Sequence, residues 1–179
     1  AGLEACAGQA VINGFSLEPR KRDAILPLAR EFDADIIGYV LAEDSRVPIA
    51  EEVKVSVVVA LFETFRATGL PPGRLIIDPV VLPLSWPDGP LHNRNVLTLI
   101  GRLADLLGTP LRTIAGLSNL TSGALPPARK NELERAYLPM LAAVGLDMVL
   151  VNMAHAETLA TARLCRSLLS DAVFAWNDA

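Results

Sequence analysis

Cysteine, histidine and aromatic side chains are scarce here: two Cys, two His and 5% Phe, Trp and Tyr in 179 residues. Cys6 and Cys165 stand far apart, which excludes a disulfide framework and reads as two buried small residues in a reducing compartment. His92 and His155 have no second His or Cys at ligand spacing, so no protein-bound metal is expected. A formal net charge of -4 without a basic run leaves no footprint for nucleic acid or an anionic membrane surface. No run of about 18 uncharged apolar residues is available for a membrane span. The densest segment, Val53 to Phe65, contains Lys54 and Glu63. Ala1 to Gln9 lacks the basic and apolar regions of a secretory signal and reads as a helix tail closed by Gly8. The segment Gly116 to Gly123 has two glycines but no phosphate-loop Lys, and Ser118 has no GxSxG frame.

What is abundant is aliphatic. The chain is 51% hydrophobic, enough for one domain with a large core of Ala, Leu, Val and Ile. Short apolar runs alternate with helical spacing. The runs are Ala10–Asn13, Ala34–Leu41, Leu75–Leu82, Arg112–Asn119 and Asp147–Val151. After them come stripes such as Ile25, Leu28, Ala29 and Phe32, or Val58, Leu61, Phe62 and Phe65. Pro83 to His92 is the longest irregular piece, and Val173 to Trp176 forms a short apolar tail. This makes five β-α units of about 30–40 residues each. Strands without alternation are covered on both faces. Either an open doubly wound α/β sheet or a (β/α)8 TIM-barrel type fits. In the second case the chain is a partial barrel covering the last five β-α units, since a full barrel takes about 250 residues.

Polar residues follow each apolar run: Asn13, Glu43 or Asp44, Asp78, Asn119 and Asn152. A parallel sheet whose strands all finish on polar groups builds one concave site at its C-terminal face. Asp78 is either a turn residue or a buried acceptor able to take two N–H bonds from an amidine-like edge. Asn13 and Asn119 are helix-cap or turn residues if taken singly. As a set with Asp78 they can read a heterocycle of alternating nitrogens and carbonyls. Arg129 and Lys130 stand near a helix start, where a ligand anion could justify them, but read as solvated.

These same residues carry a family resemblance over about Leu3 to Leu169. Val11-Ile12-Asn13-Gly14-Phe15-Ser16 resembles the I-N-S-x-S strand end of pterin-binding enzymes, and Leu75-Ile76-Ile77-Asp78-Pro79 resembles their Asp-Pro strand. Gly116-Leu117-Ser118-Asn119-Leu120-Thr121, then Tyr137-Leu138, Gly145-Leu146-Asp147 and Asn152, resembles the G-L-S-N stretch and its sequel in methyltetrahydrofolate:corrinoid methyltransferases. The resemblance implies a TIM barrel with a reduced pterin at its mouth, methyltetrahydrofolate or methyltetrahydromethanopterin. Asp78 would pair with the 2-amino-pyrimidinone edge, and Asn13, Gly116, Ser118 and Asn152 would line the pterin. Asn119 would be the catalytic residue near N5. The methyl acceptor would be a corrinoid on a partner protein. A cytoplasmic location and a homodimer are implied in the same way.

Two departures stand out. Gly14-Phe15 replaces the commoner Ser-x, and Leu133-Glu134 stands where Leu-Asn is usual. Three earlier family strands, one ending in an Asp that helps hold the pterin, have no counterpart in residues 1–179, so the single pterin-binding domain is expected to lack them. The nearest rival is dihydropteroate synthase, which resembles the chain less at Ser118-Asn119 and at Asn152-Met153-Ala154-His155, where its anion-binding cations are missing. A non-catalytic pterin-binding remnant and an unrelated open α/β domain are the other readings.

Overall fold

The computed structural model describes residues 2–123 and 125–170. The expected tail Val173 to Trp176 lies outside them. Five parallel strands pair strictly in chain order: β1 (Val11–Phe15), β2 (Asp35–Tyr39), β3 (Leu75–Asp78), β4 (Arg112–Gly116) and β5 (Met148–Leu150). A helix follows each strand: α1 (Pro19–Glu31), α2 (Glu51–Arg66), α3 (Gly89–Leu107), α4 (Pro127–Ala143) and α5 (Ala156–Leu168). A doubly wound sheet reverses direction at a switch point. This order never reverses, which decides between the two architectures in favour of a partial barrel.

Residue alternation along the strands divides the core in two. Ile36, Leu75, Ile77 and Ala115 face outward and pack under the helices, against Val58, Leu61, Phe62 and Phe65 of α2 or Val96, Leu138 and Leu141 further along. Ile37, Ile76 and Ile114 point the other way and form a separate cluster with Tyr39 and Met148. No helical residue joins that cluster. Helices on one face and a layer of branched side chains on the other is the pattern of a barrel wall.

Below this inner layer, at the N-terminal end of the strands, Asp35 accepts from Arg74 at 3.2 Å and from Arg112 at 2.7 Å. Arg74 also pairs with Asp33. Both arginines are thus spent on stitching β2, the loop before β3 and β4 together, which leaves the opposite end for chemistry.

Several boundaries differ from the sequence reading. The third strand stops at Asp78 and does not run to Leu82, because Val80 sits in the left-handed region at φ 60. Helix α3 begins at Gly89, so His92 is helical and buried, not part of an irregular loop. The first residues form a turn rather than a helix tail. Cys6 is exposed, and only Cys165 is buried as expected. Among the described residues no helix is long and apolar enough to cross a membrane.

Candidate active site

Alternation sends Tyr39, Asp78 and Gly116 to the same inner face as Ile37, Ile76 and Ile114, each two residues nearer the C-terminal end of its strand. Tyr39 lies opposite Asp78 in the β2–β3 register, and its hydroxyl donates to Asn13 Oδ1 at 2.6 Å. Asn13 lies inside β1 and not at its end, yet it reaches this rim through a local irregularity. The β1–β2 register shifts between Ile12 and Phe15, and Gly14 takes φ 89. Phe15 therefore turns outward into the helical core while Asn13 meets Tyr39. A Cβ on Gly14 would fall 1.9 Å from Tyr39 Cε2. The glycine that departs from the family pattern is what makes room for this tyrosine.

Asp78 is only 8% exposed. One carboxylate oxygen accepts from the Val80 N–H at 2.8 Å, and Oδ2 receives no hydrogen bond from a described residue. Desolvation raises its pKa from the ordinary carboxylate value to about 6, with the Val80 hydrogen bond pulling the other way. Tyr39 is also raised, first by its own desolvation and then by the charge on Asp78. A half-satisfied buried carboxylate beside a phenol and an amide is the arrangement expected where a ligand supplies the missing donors.

The remaining predicted residues divide into two groups. Asn119 lies in a 3-10 turn, Leu117–Thr121, beyond β4, and its amide folds back over Gly116: a Cβ there would stand 3.3 Å from Nδ2. Asn119 and Val80 border one cavity of about 680 Å³ with Arg46, Trp86 and Pro87. Ser118 and Asn152 line a different cavity of about 460 Å³, with Lys130, Glu134 and His155. Asn152 is exposed and occupied locally, its Oδ1 accepting from the Ala154 N–H at 3.0 Å and its Nδ2 lying 3.2 Å from His155 Nε2. Asn13 thus meets Tyr39 opposite Asp78, and Asn119 stands over Gly116 of β4 on the same face, whereas Ser118 and Asn152 line a separate cavity. Glu43 and Asp44 are exposed beyond the end of β2, where Tyr39 takes the place that was expected for an acid. Tyr39 carried no sequence signal beyond ending an apolar run. Among the described residues no cluster of metal-ligating side chains occurs.

The fold and rim define a polar-mouthed arc of a (β/α)8 barrel. No family model matches the chain. A methylcorrinoid:tetrahydrofolate methyltransferase of Eubacterium limosum is 27% identical over 152 residues, 82% of this chain and 52% of that protein. A Yersinia pestis dihydropteroate synthase superposes with a TM-score of 0.67 at 17% identity, covering 90% of this chain and 65% of that one. A Clostridium difficile dihydropteroate synthase, solved in the presence of pteroic acid, gives 0.65 at 20% identity over 90% and 60%. The chain spans about half the length of the curated relative it matches. The solved neighbours share the fold, and the 27% likeness to the methyltransferase runs over most of this chain.

Two outcomes are expected. A group whose folded pKa is raised above its unfolded value of about 4 destabilises the fold once pH rises through that window, because the native state binds the extra proton. Asp78→Asn should therefore match the parent in urea denaturation near pH 3.5 and exceed it by on the order of 2 kcal/mol at pH 7.5. A less stable Asn variant at pH 7.5 would contradict a desolvated carboxylate. Gly14→Ser should lose roughly 2 kcal/mol or more, part from positive φ and part from the Tyr39 ring. In a Tyr39→Ala background the loss should shrink; equal losses in both backgrounds would deny the coupling.

Proposed function

We propose that the chain binds a reduced pterin at this rim and belongs to an enzyme exchanging a methyl group between pterin N5 and a corrinoid carried by a partner protein. The observation that carries the reading is Asp78, buried and, among the described residues, without a hydrogen-bond donor to one oxygen. A 2-amino group and the adjacent ring N–H would give it the two parallel donors that a carboxylate accepts best. Because the Tyr39 hydroxyl occupies Asn13 Oδ1, that amide offers its Nδ2 donors, suited to a ring carbonyl or an unprotonated ring nitrogen. Gly116 keeps β4 free of a side chain where a flat ring would lie, with Asn119 at its margin. The ring would lie above the apolar layer of Ile37, Ile76 and Ile114.

Asn119 is assigned the catalytic role. The N5–methyl bond breaks with its electron pair remaining on nitrogen, so N5 leaves best as a neutral amine that was protonated beforehand. A carboxamide oxygen accepting from that N–H favours the protonated form. The corrinoid, as the other substrate, supplies a nucleophilic metal centre that accepts the methyl group. The relative's name describes the transfer from corrinoid to tetrahydrofolate, which is the same exchange run in the opposite direction.

A synthase-like reaction is the second reading. It draws on the solved neighbours and on Lys130 and His155 beside Ser118, which could receive an anionic group.

Calorimetric titration with methyltetrahydrofolate should show binding that weakens as pH falls below about 6, where Asp78 takes up its proton. Asp78→Ala should weaken it at pH 7.5 by about 2 kcal/mol, roughly 30-fold, as for a charge-assisted pair. Unaltered affinity in that variant removes the assignment. Methyl transfer from methyltetrahydrofolate to cob(I)alamin, lost in Asn119→Ala with pterin affinity retained, separates the methyltransferase from the synthase. Pterin binding without either reaction marks a binding remnant.

A further inference from the structure

Lys54 and His92 are both fully buried, 1% and 0% exposed, and among the described residues no carboxylate forms a salt bridge with either. A lysine in that position is expensive, and an apolar residue of its length would suit the space between α2 and α3 better. Their contacts lead toward the rim. Lys54 Nζ lies 3.1 Å from His92 Nδ1, and His92 Nε2 lies 2.7 Å from the Val80 carbonyl oxygen. An ammonium only donates, so Nδ1 accepts and the ring proton is on Nε2, where it donates to Val80. Val80 in turn gives its own N–H to Asp78.

Val80 needs such restraint. A β-branched residue at φ 60 is a strained backbone outlier. The residue after His92 grips the same loop. Asn93 Oδ1 accepts from the Leu82 N–H at 3.0 Å, and Asn93 Nδ2 donates to the Leu82 carbonyl at 2.8 Å. Tyr137 from α4 donates to the Asn93 carbonyl at 2.8 Å. Further along, the Leu84 N–H bonds the Leu120 carbonyl at 2.9 Å, fixing the loop to the turn that holds Asn119.

We propose that Lys54 and His92 are positioning residues for Asp78: the buried pair fixes the imidazole tautomer that holds Val80 in its strained conformation, and Val80 thereby presents its N–H to the carboxylate.

Electrostatics agree with this geometry. Desolvation, then the neighbouring Lys54 charge, lowers His92 to about 4, against the carbonyls of Val80 and Pro48. Desolvation lowers Lys54 to about 8, with Glu51 opposing, so at neutral pH the lysine is charged and the imidazole neutral. Toward Asp78 itself, β2 presents Tyr39, β1 presents Asn13, and β4 presents no ionisable side chain above Arg112. The Val80 carbonyl and N–H belong to different peptide groups, so what links His92 to Asp78 is the backbone conformation of Val80.

The inference deepens the pterin reading and its ligand arm rests on it, but its first test needs no ligand. Long-range 1H–15N correlation on the labelled chain should show His92 as the Nε2–H tautomer, without titration down to pH 5. An Nδ1–H tautomer, donating to Pro48 instead, or a midpoint near 6.5, the ordinary imidazole value, overturns it. In the second test, carboxylate 13C shifts should place the Asp78 midpoint higher in His92→Leu than in the parent, with His92→Gln close to the parent because its amide N–H replaces Nε2. Methyltetrahydrofolate affinity should fall about tenfold in the Leu variant and recover in the Gln variant, the scale of one hydrogen bond. An unmoved Asp78 midpoint in a folded Leu variant, or no recovery with Gln, sinks the positioning role. A midpoint that moves while the parent binds no pterin keeps that role and removes the ligand assignment. Should the Leu variant not fold, the tautomer in the parent decides.

Discussion

Asp78 gives up most of its hydration at the end of β3 and receives one backbone hydrogen bond in exchange, a poor trade for a carboxylate in isolation. Much of the surrounding architecture follows from keeping that group where it is. β3 cannot continue beyond it, because Val80 must turn back to reach it. The loop that results is held at three points, Val80, Leu82 and Leu84, by two elements: α3 twice and the turn after β4 once. On the other side, Tyr39 closes against Asn13, and the glycine of β1 yields the space its ring requires. A site that costs the fold stability and is rigidly braced by its surroundings is what the proposed ligand would compensate.

The two ends of the sheet do different work. At the N-terminal end the charges are matched within the chain, two arginines to one buried aspartate with a second aspartate at the rim. At the C-terminal end the polar groups are incompletely matched: the free oxygen of Asp78, the donors of Asn13 and the amide of Asn119. This division agrees with the way barrel folds separate stability from chemistry, and it needs no appeal to a relative. The pterin proposed above would supply the missing donors.

Much of this could be read in the amino acids. The five β-α units are legible because Gly and Pro punctuate each one and the helical stripes keep their spacing; Val58, Leu61, Phe62 and Phe65 are all buried as expected. Asp78 is legible because it ends an apolar run before a proline. The errors have specific causes. Val80, Val81 and Leu82 look like strand by composition, and only the conformation forced on Val80 shows otherwise. Lys54 reads as an interruption of an apolar run, whereas it lies on the buried face and meets a histidine 38 positions away. Tyr39 is silent because its role depends on a vacancy at Gly14, 25 residues earlier. Pairings between units leave no periodic trace, and these are the pairings that tune the site.

Strand order has a bearing on assembly that the static picture hides. Every strand hydrogen-bonds to the one before it in the chain, so no segment has to wait for a distant partner or be threaded between two others already in place. Short-range closure of this kind lowers the entropic barrier to each addition. The sheet can grow at one margin as polypeptide emerges from the ribosome, each new unit docking on a finished surface. The rim would then be completed late, when the turn after β4 arrives to fasten a loop made some forty residues earlier.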